Sequence, residues 1–102
     1  MAADTPIAHG YTGTRGWTFL TNHAHALLCL AHQESLTTRD LSLRIGITER
    51  AVQAILADLV AEGYLTKTKM GRRNSYTVNP NGRLRHPLES GHTVGELIDT
   101  LS

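Results

Sequence analysis

A single cysteine, Cys29, excludes a disulfide framework within the chain and any cysteine-based zinc knuckle. No apolar run approaches the ~20 residues needed to cross a bilayer, and no basic region leads into an apolar one at the N-terminus. A membrane partner is therefore not expected, and a cytoplasmic location is. The chain has no Gly-rich phosphate loop, no H-E-x-x-H and no G-x-S-x-G, and Cys29 lies among apolar neighbours that disfavour a thiolate. Catalysis is not expected, and no cofactor is implied. Overall charge is scarce too: the 102 residues carry a net +1, and charged residues make up 19%. That total advertises no polyanionic partner.

One further scarcity is local and points the other way. Between Gly63 and Leu88 there is no Asp or Glu, whereas Lys67, Lys69, Arg72, Arg73, Arg83 and Arg85 are all basic. A basic field inside a nearly neutral chain is what phosphate binding requires. The plainer alternative is a solvated surface that happens to lack acids.

The length fits one domain, and neither an internal repeat nor a low-complexity tract divides it. Residues 1–16 mix Gly, Thr, Ala and Pro without periodicity and are expected to form a flexible arm. The stretch WTFLTNHAHALLCLAHQ predicts a first helix from Trp17, with Leu20, Ala24, Leu27, Leu28 and Ala31 on one face. Ala26, Cys29 and Leu30 interrupt the other face, so burial on two sides is expected, the second cover being another subunit. In ESLTTRDLSLRIG, Thr37 and Asp40 form a helix start, Leu41 and Ile45 face inward, and Gly46 permits an abrupt stop. Thr48 then caps a third helix whose stripe is Val52, Ile55, Leu56, Leu59 and Val60, ending at Gly63. YLTKTKM and SYTVN alternate around GRRN, which predicts a β-hairpin with a basic tip. PNGRLRHPLESG is a looped connection, and Thr93 precedes a helix carrying Val94, Leu97, Ile98 and Leu101.

Helix, helix–glycine–helix, then hairpin is the order of a winged helix-turn-helix. The run TTRDLSLRIGITERAVQAILADLVAEGYL resembles the helix-turn-helix core of MarR-, ArsR-, IclR- and Lrp-type bacterial transcription regulators. The similarity rests on Asp40, Leu41, Ser42, Ile45, Gly46, Ile47 and Thr48, then Ala51, Val52, Leu56, Leu59, Gly63, Tyr64 and Leu65. The GRRNSYTVNP segment, with Asn74, also looks like such wings. The implied fold class is mainly α with a small β-hairpin (α+β): a three-helix core, a β-wing and a C-terminal helix. Residues 17–79 would be the DNA-binding domain, and 80–102 a connection and dimerisation helix.

The resemblance implies a homodimeric regulator of double-stranded DNA, with helix 48–62 in a major groove about 12 Å wide and the wing, 66–78, on the backbone or minor groove. Glu49, Arg50, Gln53, Ala54 and Ala57 point away from the apolar stripe. Arg50 suits guanine O6/N7 and Gln53 an adenine edge. Glu49 suits a cytosine amine, or else serves the helix N-terminus. Thr38, Arg39 and Thr48 sit where such domains hold phosphates. Arg72 and Arg73 at the tip suit a narrow minor groove, and Lys67 and Lys69 share a strand face that could track the backbone. The competing role for those lysines is a solubilising sheet edge. Leu30, Val94, Leu97, Ile98 and Leu101 are the expected dimer contacts.

His25, Cys29 and His32 lie at i, i+4 and i+7, a combination of zinc or copper donors. They span roughly 10 Å of helix, too long for one ion without bending, so an interface role is expected rather than a metal. Two other function classes remain: a protein–protein module docking through Ala54 and Ala57, and a metal- or ligand-responsive sensor, its small-molecule effector unknown.

Overall fold

The structure is a computed structural model that describes residues 16–102; the expected arm, apart from Gly16, lies outside the described residues. The elements run α1 (Asn22–His32), α2 (Thr38–Ile45), α3 (Glu49–Ala61), β1 (Leu65–Met70), β2 (Arg73–Val78) and α4 (Val94–Leu101).

Helix α1 starts five residues later than its apolar pattern suggests. Thr21 takes extended backbone angles and its hydroxyl accepts from the Ala24 N–H at 3.3 Å, so the helix begins after it. Upstream, the Thr18 hydroxyl donates to the Leu20 carbonyl, a local bond that competes with helix formation. The buried face is also different. Ala26, Leu27 and Leu30 are buried, while Leu28 is half-buried and Ala31 is exposed. α2, α3, β2 and α4 of the same chain all pack against α1. Part of the second cover assigned to another subunit is supplied within the protomer.

This corrects two expected dimer contacts. Leu30 and Val94 have no exposed surface and belong to the core with Leu41 and Val52. Neither offers a second subunit anything to touch. Leu97 and Ile98 are half-buried and Leu101 is 51% exposed, so of the expected contacts only these three remain accessible.

The tight pair α2–α3 forms for local reasons. Thr37 and Asp40 make a reciprocal capping box, with both bonds at 3.0 Å. Gly46 ends α2 in the left-handed region, φ 86°, where a side chain would be strained. Thr48 caps α3 through its bond from the Ala51 N–H, 3.0 Å. Leu41 and Ile45 of α2 meet Val52, Ile55, Leu56 and Leu59 of α3 in one core.

β1 and β2 pair antiparallel from Leu65↔Val78 to Met70↔Arg73, joined by Gly71 and Arg72 alone. The turn is shorter than the GRRN pattern suggests, because Gly71 adopts φ 66° and closes it in two residues. The Tyr76 N–H donates to the Glu34 carbonyl at 3.3 Å, tying the hairpin to the α1–α2 link.

The connection after β2 folds back on the domain. The Val94 N–H reaches the Gly82 carbonyl at 2.8 Å and the Gly95 N–H the Pro80 carbonyl at 2.9 Å, closing the intervening loop at its base. Here a glycine is required by space. A Cβ on Gly82 would stand 2.8 and 3.0 Å from two carbons of the Tyr64 ring. The ring is held in place, since the Tyr64 hydroxyl donates to the Arg83 carbonyl. Gly82→Ala is therefore expected to cost about 1–3 kcal/mol, as overpacked sites do. A urea-unfolding midpoint equal to wild type would show that the ring yields freely.

Candidate nucleic-acid interface

The apolar stripe of α3 fixes what the helix shows outside. With Val52, Ile55, Leu56 and Leu59 buried, Glu49, Arg50, Gln53, Ala54 and Ala57 are all exposed. Their 3–4 residue spacing puts them on one side of the helix. Glu49 lies in the first turn, where the helix dipole favours an acid. Thr48 uses an oxygen lone pair for its cap and keeps its hydroxyl proton as a donor. At the start of α2, Thr38 is half-buried and Arg39 exposed.

The two acids further along α3 are on another side. Asp58 faces α1, where its carboxylate lies 2.9 Å from His23 Nε2. Asp58 and Glu62 both line a groove of about 530 Å³ bounded by the start of α1, the end of α3 and the loop before α4. The outward face of α3 from Arg50 to Ala57 is thus free of acids.

The basic block of the sequence divides in three. Lys67 and Lys69 are exposed on the hairpin, opposite Tyr76 and Asn74 in register, and Arg72 occupies the turn. Asn74 is exposed beside Lys69. Arg73 flanks the turn as the first residue of β2, exposed, but its guanidinium donates to the Ser35 carbonyl at 3.4 Å. Its charge reaches Asp40. Arg83 donates to the Ser90 carbonyl at 3.1 Å, and Arg85 lines the groove. Four cations, not six, are therefore on the hairpin, three of them without a bond to the domain body among the described residues.

The capping box beneath Thr38 and Arg39 is pH-sensitive. The Thr37 backbone N–H, above all, holds the Asp40 carboxyl below its ordinary range, aided by the Thr37 hydroxyl, Arg44 and Arg73. The Thr93 N–H does the same for Glu96 at the start of α4, with help from His92. A carboxyl lowered by folding adds stability above its unfolded pKa and loses it as pH falls through the folded one. The melting temperature is expected to drop as pH falls through and below the usual carboxylate range, and Asp40→Asn plus Glu96→Gln should flatten that drop. Parallel acid melts of both proteins check this.

The His25, Cys29, His32 set is not gathered. His25 Nδ1 pairs with Asn22 Oδ1 at 3.1 Å, and partial burial lowers its pKa. Cys29 is half-buried; burial raises its thiol pKa, against a smaller opposing pull from Arg44. Among the described residues no three His, Cys, Asp or Glu side chains are grouped to hold a metal ion. No helix among them is long and apolar enough to cross a membrane.

The groove is the feature that sequence reasoning missed. Its walls come from residues 19–27, 58–64, 84–89 and 94–97, so no local motif announces it.

This arrangement can be set beside known proteins. No curated protein sequence matches the chain. Among solved structures, a similar one is the zinc-dependent MarR family transcriptional regulator AdcR in its Zn(II)-bound state. The identity is 32%, over 64% of this chain and 47% of that one, with a TM-score of 0.49. The chain thus spans less than half the length of that regulator. A family model also matches residues 17–73, more than half of the chain, from the start of the described residues through the turn of the hairpin. The chain belongs to the MarR family, a family of transcription regulators and not of enzymes.

Proposed function

We propose that the protein is a sequence-specific double-stranded DNA-binding transcription regulator that acts as a homodimer. The observation that carries this reading is the outward face of α3, which bears no acid from Arg50 to Ala57 and holds Arg50 and Gln53, joined to a hairpin bearing Lys67, Lys69 and Arg72. α3 enters the major groove, where Arg50 reads a guanine and Gln53 an adjacent base. Thr38, Arg39 and Thr48 hold phosphates at the helix starts, and the hairpin lies on the backbone or minor groove. A bacterial cytoplasm is the compartment such a role implies. Leu97, Ile98 and Leu101 of α4 remain as surface for a second copy.

Binding to duplex DNA at low salt, followed by fluorescence anisotropy, tests the reading; no binding there would reject it. Arg50→Ala is expected to relax discrimination at one base pair by about 1–3 kcal/mol while leaving binding to unrelated duplex nearly unchanged. Equal losses on preferred and unrelated sequences would remove Arg50 from the reading role.

A further inference from the structure

The groove beside α1 is flanked by apolar groups that the fold leaves uncovered. Trp17 and Phe19 stand 76% and 91% exposed, stacked edge-to-face with ring centroids 4.9 Å apart. Leu88, between the groove residues His86 and Glu89 in sequence, is 89% exposed. The groove lining is largely apolar, with Leu27, Leu59, Leu84 and Leu97 among its residues, and Phe19 also lines it while remaining 91% exposed. A rigid aromatic pair and an apolar groove on the same chain, neither filled by the other, form a self-complementary surface.

We propose that two copies of this chain associate by reciprocal exchange, the Trp17–Phe19 pair of each protomer seating in the groove of its partner. The inference rests on the homodimer reading above and specifies the interface. Area supports a second copy as the occupant. Exposed to this degree, the two rings offer on the order of 350 Å². With the smaller area of groove wall that covers them, and two-fold repetition of both, the interface reaches roughly 1,100 Å², just above the ~1,000 Å² that a specific assembly needs. Charge supports it as well. Among the described residues from Gly16 to Gln33, on both sides of the aromatic pair, there is no Asp or Glu. The groove it would enter is edged by Glu62 and Glu89 as well as the His23-paired Asp58, against Arg85 alone. Trp17 would act as the central anchor, the residue type that dominates such contacts.

Trp17 is the chain's only tryptophan, so its emission reports the contact directly. The full chain should sediment as a dimer, and its emission should shift to the blue as concentration rises through the dissociation constant. Trp17→Ala plus Phe19→Ala removes the knob, and Ala24→Phe fills the groove; each alone should weaken association at least tenfold. Mixing the two should restore a heterodimer, because one intact knob then meets one intact groove, and the Ala24→Phe protomer's emission should turn blue on mixing. Glu62→Lys plus Glu89→Lys, at exposed positions, should weaken the dimer severalfold with helix content intact, which covers the case in which Ala24→Phe fails to fold.

A wild-type monomer at high concentration would overturn both the homodimer reading and this inference. A wild-type dimer that persists in the Trp17→Ala, Phe19→Ala protein would overturn the exchange alone. Blue emission independent of concentration would also overturn it, by showing that Trp17 is covered within one chain.

Discussion

Replacing Lys67, Lys69 and Arg72 together with alanine is expected to weaken binding to every DNA sequence alike and to flatten its salt dependence. Each phosphate neutralised by a cation releases counterions, so three lost contacts lower the log–log salt slope by about 2.7 and the affinity at ~0.1 M salt by on the order of 10²–10³. All three side chains are exposed and none bonds the domain body among the described residues, so the fold should be indifferent to the change. Arg73 serves as the internal contrast. Its guanidinium is turned back to the Ser35 carbonyl, so Arg73→Ala should lower thermal stability more than it changes the salt slope. Anisotropy titrations across salt concentrations, run on both variants, separate the two roles. A triple variant with the wild-type slope would show that the hairpin does not touch phosphate.

The other large effect concerns Leu30. It lies on α1 with no exposed surface, among Ala26, Leu27 and the residues of α2 and α3. Leu30→Ala should cost about 2–5 kcal/mol, the transfer free energy of the missing atoms plus the cavity they leave. Because the residue is enclosed within one protomer, the loss in denaturant unfolding should be the same at low and high protein concentration. A subunit-interface leucine behaves otherwise, since its loss shows through mass action. Leu101, half exposed at the end of α4, should cost within about 0.5 kcal/mol of stability when truncated in the monomer.

How far the sequence disclosed these features depends on how local their causes are. Thr37, Asp40, Gly46 and Thr48 act on their own helix ends within four residues, and the α2–α3 pair was legible from them. The α3 stripe was legible for the same reason, and it fixed which side chains face outward. The start of α1 was misread because Trp17, Phe19 and Leu20 are apolar at roughly helical spacing, while Thr21 stops the helix from reaching them. Periodicity registers apolar residues but does not say what covers them. Leu30 and Val94 therefore read as surface for a partner, when the chain's own elements bury them: α2, α3, β2 and α4 pack on the helix that carries Leu30, and α4 packs back on α1.

Among the basic residues, the run in sequence was legible and its division in space was not. Arg73 and Arg83 are drawn off by the carbonyls of Ser35 and Ser90, partners 38 and 7 residues away. Asp58 shows the converse. In sequence it is an acid on the presumed reading helix; in the fold it is turned to His23 of α1, away from Arg50 and Gln53. The near neutrality of α3 thus hides two unlike sides, an outward face whose one acid, Glu49, sits in the first turn, and an acidic groove wall.

The most direct measurement of the central claim is selection of bound duplexes from a random DNA pool by the full-length chain. The account predicts enrichment of an inverted repeat whose half-sites lie about 10–10.5 base pairs apart, or a multiple of that spacing. It also predicts that Arg50→Ala loses the preference at one position in each half. Retention of duplex with no enriched sequence, or no retention at low salt, would contradict it.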